Sequence, residues 1–320
     1  MNEIVKVEAQ NLMQGKDLLV LFTDFLRMDV ANGYASPETV RSYFTQVREF
    51  MAWCRRNALD PAVITEQDVK AYREYLIEKP YAKATIANKL TIIKRFYDML
   101  VIRGMRQDNP AKGVKPPKGK TDRSEMVKWL PLSAIQQLLR APDASTPKGK
   151  RDRALIALMA LHGLRVMEVA SIKLTGVDLA GKSIKVMGKG GKARTVYLVE
   201  LTANILREWM EIRHEVARAD HVFVGMHHDP EIGGRSMNRR GIRKVVDTYL
   251  AGLGLKKEKV SCHSLRHSFA TQSLAAGAKL MAISDALGHS SVTTTQVYAK
   301  LVDKVRDNPA QLLVGLIEKG

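Results

Sequence analysis

A chain of 320 residues, 45% of them hydrophobic, is long enough for two ordinary domains, each with its own core. Its 51 Lys and Arg against 33 Asp and Glu leave a formal charge of +18, more than solubility requires, and point to a polyanionic partner, nucleic acid ahead of an anionic membrane surface. No run of about eighteen apolar residues occurs, and MNEIVKVEAQ lacks the basic start and apolar stretch of a signal peptide, so a cytoplasmic protein, nucleoid-associated when bound to DNA, is expected. Cys54 and Cys262 lack the paired spacing of a zinc site or a disulfide framework, and neither Cys262-His263 nor His227-His228-Asp229 supplies a tetrahedral ligand set. No metal and no cofactor are expected.

Residues 16–110 read as helices only. An apolar segment from Leu18 to Val30 comes first. Ser36-Pro37 then supplies an N-cap and an N1 proline, and Val40, Tyr43, Phe44, Val47, Phe50, Met51 and Cys54 follow at helical spacing. The opposite face carries Arg41, Thr45, Arg48 and Arg55, a pattern that fits both a phosphate-binding stripe and a solvated charged face. Thr65 with Asp68 starts a shorter helix. Ile86, Leu90, Ile93, Tyr97 and Leu100 mark a fourth, ending near Arg103-Gly104. Four such helices make a small bundle.

From Asn109 to Lys128 the texture changes to NPAKGVKPPKGKTDRSEMVK, with three prolines, two glycines and six Lys or Arg after position 111. Residues 111–128 are expected to be an extended basic linker that crosses a phosphate backbone, with Lys115, Lys118 and Lys120 as its contacts. Residues 129–320 form the second expected domain. A capping-box pattern at Ser133 and Gln136 opens it, and ALIALMALHGL is an apolar helix. SIKVMGKGGKARTVYL alternates on both sides of a Gly-rich turn, the signature of a β-hairpin. Helices are expected again at about Thr202, at Ser236 and from His263 onward. The fold class is mainly α, an N-terminal helical bundle plus a mostly helical domain with a small antiparallel sheet.

Several stretches carry chemistry. In HSLRH, His263 and Arg266 share one helical face, an imidazole beside a fork that binds phosphate bidentately; any surface helix could show the same pair. In HGLRVMEV, Arg165 follows a glycine, and Glu168 either forms an intrahelical ion pair with it or orients it for a ligand. The turn MGKGGKAR is not a Walker A loop, because position 183 is serine where the first glycine would stand. It presents Lys189 and Lys192 on a glycine-flanked tip. LGHSSVTTTQVYAK places His289 upstream of Tyr298.

The ordered set Arg165, Lys189, His263, Arg266, His289 and Tyr298 resembles that of the tyrosine recombinases, the phage integrase family, and is most similar to the compact Xer-type members. GLRVMEV, GKGGKAR, HSLRHSFAT and LGHSSVTTTQVYA carry the resemblance. The spacing agrees as well as the residue types: Lys189 follows Arg165 by 24 residues, His289 follows His263 by 26, and Tyr298 follows His289 by 9. His162, where the family usually has threonine, and Ser284-Asp285 are small departures outside the catalytic positions.

The resemblance implies a SAM-like core-binding domain before the catalytic one. It also implies a Tyr298 nucleophile, Arg165 and Arg266 as clamps on the scissile phosphate, and Lys189 as general acid. His263 and His289 transfer protons and bind phosphate, with Glu168 in support. Such a site cuts and rejoins duplex DNA through a 3′-phosphotyrosyl intermediate without metal or ATP, because two guanidinium groups neutralise the phosphodiester and the phosphotyrosyl ester conserves the bond energy. The expected assembly is a homotetramer, or a pairing with a related recombinase, on two paired recombination sites, with accessory proteins possible and no membrane partner. The tail offers the joining element. Asn308-Pro309 starts a helix over 309–318 whose Leu312, Leu313, Leu316 and Ile317 either dock on their own domain or reach a neighbouring protomer. Two alternatives remain open at this stage: a monomeric type IB topoisomerase-like enzyme, and a DNA-binding architectural protein that does not cut.

Overall fold

The computed structural model describes residues 15–29, 35–118, 128–188, 191–226, 233–289, 294–299 and 302. The chain divides between residues 120 and 121 into two compact units. Among the described residues no helix is long and apolar enough to cross a membrane.

The first unit is built from α1 (Gly15–Asp29), α2 (Pro37–Arg56), α3 (Glu66–Glu78) and α4 (Lys83–Ile102). Local chemistry sets their ends. The Ser36 hydroxyl accepts the Thr39 amide, Pro37 occupies the first turn, and Thr65 and Asp68 form a reciprocal capping box. Gly104 ends α4 at φ +69°, a conformation that favours glycine. Phe22, Phe50, Tyr72, Phe96 and Tyr97 fill the core edge to face: Phe50 meets Tyr72 at 4.8 Å and Phe96 meets Tyr97 at 5.0 Å between ring centroids. Trp53, outside the apolar stripe expected for α2, is buried as well.

Arg41, Arg48 and Arg55 stand exposed on α2, and the half-buried Thr45 turns its hydroxyl back to the Arg41 carbonyl at 2.9 Å. Residues 111–118 do not hang free of this unit. Ala111 and Val114 are buried in its core, and the backbone carbonyls of Lys115 and Lys118 accept from Arg73 and Lys83. The Lys115 and Lys118 side chains are exposed; Lys120 lies outside the described residues.

In the second unit α6 (Pro147–Leu161) is central, with α5 (Leu132–Arg140), α8 (Glu200–Val216), α9 (Arg239–Gly252) and α10 (Cys262–Ala275) packed around it. Residues 154–160 are buried throughout, as expected of a helix apolar on every side. The start of α5 differs from the sequence expectation. Pro131, in extended conformation, accepts the Ala134 and Ile135 amides through its carbonyl and acts as N-cap, so Ser133 lies inside the first turn and caps nothing. Similarly, α9 begins after Asn238, whose side chain accepts the Gly241 amide, while Ser236 pairs with Val224 in a β-bridge.

A short α7 (Val166–Ala170) leads into β1 (Val177–Asp178), which adds a third strand to the expected hairpin β2 (Ser183–Met187) and β3 (Ala193–Tyr197). The sheet is antiparallel in the order β1-β2-β3, with Ser183 opposite Tyr197 and Met187 opposite Ala193. α11 (Leu280–Leu287) follows α10 and ends at Gly288 in the left-handed region. The C-terminal segment expected to be helical over 309–318 lies outside the described residues.

Candidate active site

Three chain segments meet where α6 stops. His162 closes α6, Gly163 reverses the chain at φ +63°, and Arg165 becomes the N-cap of α7. From α7, Glu168 turns back under this corner. Although only 2% exposed, it accepts the Arg165 amide at 2.7 Å and the Arg165 Nη1 at 3.0 Å. The pair is thus an ion pair within one helical turn, between a buried carboxylate and a guanidinium that is itself 33% exposed. Among the described residues only Nη1 of Arg165 has a hydrogen-bond partner.

Arg266 arrives from the second turn of α10 and is 5% exposed. Its Nη1 donates to the Gly163 carbonyl at 2.6 Å and its Nη2 to the Leu287 carbonyl at 2.7 Å. The same Leu287 carbonyl accepts Arg165 Nη1 at 3.3 Å. Two guanidinium groups thus share one acceptor at the C-terminal end of α11, where unpaired carbonyls carry the negative end of the helix dipole. Burial, and then the charge of Arg165, lower the Arg266 pKa to about 10, which leaves it a cation at neutral pH.

The sequence reading missed a third arginine. Arg194, on β3, donates to the Ala286 carbonyl at 2.9 Å and pairs with Glu168 at 3.4 Å, so α11 ends on three guanidinium groups. A side chain at Gly288 would place its Cβ 2.7 Å from Arg194 Nε, which explains a glycine there beyond its φ of +61°. The only sequence signal for Arg194 was its place in GKGGKAR, two residues past Lys192. Lys189 lies outside the described residues; the hairpin that carries it closes through a Gly188 amide to Lys192 carbonyl bond of 2.8 Å.

The imidazoles surround this cationic corner. His263 is exposed on the first turn of α10, and partial desolvation followed by the charges of Arg266 and Arg243 lowers its pKa. Arg243 and Arg239, on α9, are cations whose charges act on His263 and which the motifs did not single out. His289, just past α11, shares a 2.8 Å hydrogen bond through Nδ1 with the hydroxyl of Thr295, and burial with Arg266 and Arg165 brings its pKa down to about 4. Tyr298 lies in the helical stretch 296–299 and is 4% exposed, its ring packed with Ala270, Ile283 and Leu287. Burial raises its pKa, opposed by Arg266 and Arg165, so the resting group is the phenol and not the phenolate. Its hydroxyl is 2.7 Å from Nδ1 of His267, a residue outside the expected set.

The structure therefore brings together Arg165, Glu168, Arg266, His289 and Tyr298, with His263 at the edge. His162 shares a 3.0 Å bond with Thr202 of α8. Burial holds His162 at about 4. A histidine whose pKa is depressed on folding is protonated first in the unfolded chain, so its stabilisation is complete above about 6.5 and is lost as pH falls toward 4. For the buried His162 that amounts to about 2 kcal/mol between pH 7 and pH 5. The Tm of His162→Gln, followed by differential scanning fluorimetry, is expected to fall about 4–8 °C less than that of the parent over this interval; parallel curves would refute the assignment.

A helical bundle followed by a unit in which a small sheet and two helix ends gather arginines beside a tyrosine defines the integrase class of proteins. Residues 128–304 match the phage integrase family and residues 18–105 the N-terminal SAM-like domain of phage integrases. The chain belongs to the phage integrase family and is a tyrosine recombinase of the Xer-like kind. Tyrosine recombinase XerC of Halalkalibacterium halodurans is 32% identical over 299 residues, covering 92% of this chain and 96% of that protein. XerC of Myxococcus xanthus is 36% identical over 272 residues, covering 83% and 88%. Among solved structures, XerH recombinase bound to palindromic difH substrate in a post-cleavage complex has a TM-score of 0.70 at 20% identity, covering 93% of this chain and 96% of that one, a likeness of fold.

Proposed function

We propose that this protein is a site-specific DNA recombinase in which Tyr298 is the nucleophile and Arg165 and Arg266 hold the scissile phosphate. The observation that carries the reading is the convergence of two guanidinium groups on the Leu287 carbonyl, one buried with Nη1 and Nη2 each on a backbone carbonyl, the other with no partner at Nε or Nη2 among the described residues, next to a core that holds a tyrosine. A phosphodiester bound there would meet a bidentate cation whose partner groups are already fixed, so little reorganisation accompanies charge build-up in the pentavalent transition state.

In the cleavage step the Tyr298 oxygen bonds to phosphorus as the bond to the 5′ oxygen breaks. That oxygen takes a proton from Lys189, the phenol proton passes to a base or to water, and a 3′-phosphotyrosyl ester remains. A 5′ hydroxyl from a second strand reverses the sequence with no net loss of phosphoester bonds, so neither ATP nor a metal enters the scheme. Residues 16–110 serve as the core-DNA-binding domain, with Arg41, Thr45, Arg48 and Arg55 toward the backbone and Lys115, Lys118 and Lys120 on the strap over 111–128. Residues 129–320 are catalytic, and the segment 309–318 links four protomers in a ring on two paired sites.

The test uses a duplex selected by binding from a randomised pool and nicked next to the bound core, so that the cut strand is lost. The parent protein is expected to give an SDS-resistant covalent adduct and Tyr298→Phe none. Equal adducts from both would refute the nucleophile.

A further inference from the structure

The hydroxyl of Tyr298 has one hydrogen-bond partner among the described residues, and it is His267. His263 and His267 sit one turn apart on α10, the first exposed and the second half-buried against the tyrosine ring, with centroids 5.7 Å apart and planes tilted by 48°. We propose that His267 is the positioning residue of the nucleophile: its Nδ1 accepts the hydrogen bond donated by the Tyr298 hydroxyl and sets the direction of the phenol oxygen.

The direction of the bond follows from the groups. A buried phenol is a good donor, and without His267 its hydrogen would have no acceptor among the described residues. An imidazole that accepts at Nδ1 carries its hydrogen on Nε2, the neutral tautomer, and burial together with His263 and Arg266 keeps His267 uncharged at neutral pH by lowering its pKa to about 4. So weak a base does not remove the proton beforehand. It holds the O–H toward Nδ1, so the oxygen's lone pairs point elsewhere and stay free for phosphorus. Because Arg266 is the adjacent residue, one turn of α10 fixes both the phosphate clamp and the oxygen that attacks it, and Leu287, whose carbonyl both arginines use, packs on the tyrosine ring.

This inference rests on Tyr298 being the nucleophile, and its test separates the two ideas. With the nicked duplex, His267→Ala is expected to slow adduct formation about 10–100-fold at unchanged duplex affinity, the penalty of a misdirected reacting group. His267→Asn, whose amide oxygen can stand near the Nδ1 position, is expected to recover to within about threefold. In DNA-free protein labelled with 13C at tyrosine Cζ, the resonance that Tyr298→Phe removes is expected to shift in His267→Ala and return toward the parent position in His267→Asn, a readout that does not depend on catalysis. Full activity in His267→Ala with none in Tyr298→Phe would overturn the role of His267 and leave the nucleophile standing. Equal slowing in the Ala and Asn variants would also overturn it, in favour of His267 as a proton-taking base. An adduct in Tyr298→Phe would remove the nucleophile itself.

Discussion

Arg266→Ala is expected to reduce covalent adduct formation about 1000-fold or more while leaving duplex affinity within a fewfold of the parent. A preorganised cationic donor at a transition-state oxygen is worth on the order of 10²–10³ in rate, and a bidentate guanidinium exceeds a single neutral donor. Binding is spared because one cation among 51 Lys and Arg contributes little to attraction spread along the backbone. Stability should change only modestly, since two effects oppose each other. Removing the side chain leaves the Gly163 and Leu287 carbonyls without their donor, but it also relieves the burial of a cation beside Arg165. Arg266→Lys is the sharper test. It keeps the charge, yet one ammonium cannot reproduce a planar fork seated on two carbonyls from different segments, so it should stay at least 100-fold slow. Rates on the nicked duplex, affinity by gel shift and Tm decide the matter; a lysine variant near parental rate would show that charge alone suffices, and parallel losses of binding and cleavage would return Arg266 to a simple binding role.

Much of the fold was legible because its signals are local. Ser36-Pro37, the Thr65-Asp68 box and the apolar spacing from Ile86 to Leu100 each depend on residues within a turn or two, and each matches an observed helix. The failures are also local competitions. Ser133 with Gln136 satisfied the capping pattern, but an extended Pro131 two residues earlier provided the acceptor first. Ser236 lost to Asn238 in the same way. Trp53 stands one position outside the apolar stripe that the spacing predicts for α2, and its wide ring reaches Tyr72 and Phe50 from that margin.

The site divides differently. Residue types, spacing and the family resemblance nominate Arg165, Arg266, His289 and Tyr298, but the acceptor that the two arginines share, the Leu287 carbonyl, is a backbone atom with no letter in the sequence. Arg194 and His267 lie inside GKGGKAR and HSLRHSFAT, but only the fold shows that one reaches Ala286 and Glu168 and the other Tyr298. His267 could be told from His263 only by the helix face that meets Tyr298.

The backbone role of this corner leads to the second large effect, at Gly163. Its φ of +63° lies where a β-carbon is strained, at about 1 kcal/mol, and a Cβ placed there would stand 2.6 Å from both Leu287 Cδ2 and Phe269 Cδ1. Neither neighbour yields easily. Leu287 is fully buried and ends α11, and Phe269 packs in the same small cluster as Tyr298. Overpacking of this kind costs about 1–3 kcal/mol, so Gly163→Ala is expected to lose about 3 kcal/mol in total and about 6–12 °C in Tm. The functional consequence is larger, because the displaced atoms are the site's own scaffold. The Gly163 carbonyl seats Arg266 Nη1, and pushing Leu287 outward moves the acceptor shared by Arg165 and Arg266. A shift of about 1 Å in such a frame costs on the order of 100-fold in rate. Measured well below its melting temperature, Gly163→Ala should therefore form adduct about 100-fold more slowly at nearly parental duplex affinity. A second substitution, Leu287→Ala, makes room for the added methyl. If the steric account is right, the pair should recover part of the lost rate relative to Gly163→Ala alone, even though Leu287→Ala by itself removes buried apolar contact. Independent, additive losses in the double variant would show that the glycine is needed for its conformation and not for its closeness to α11.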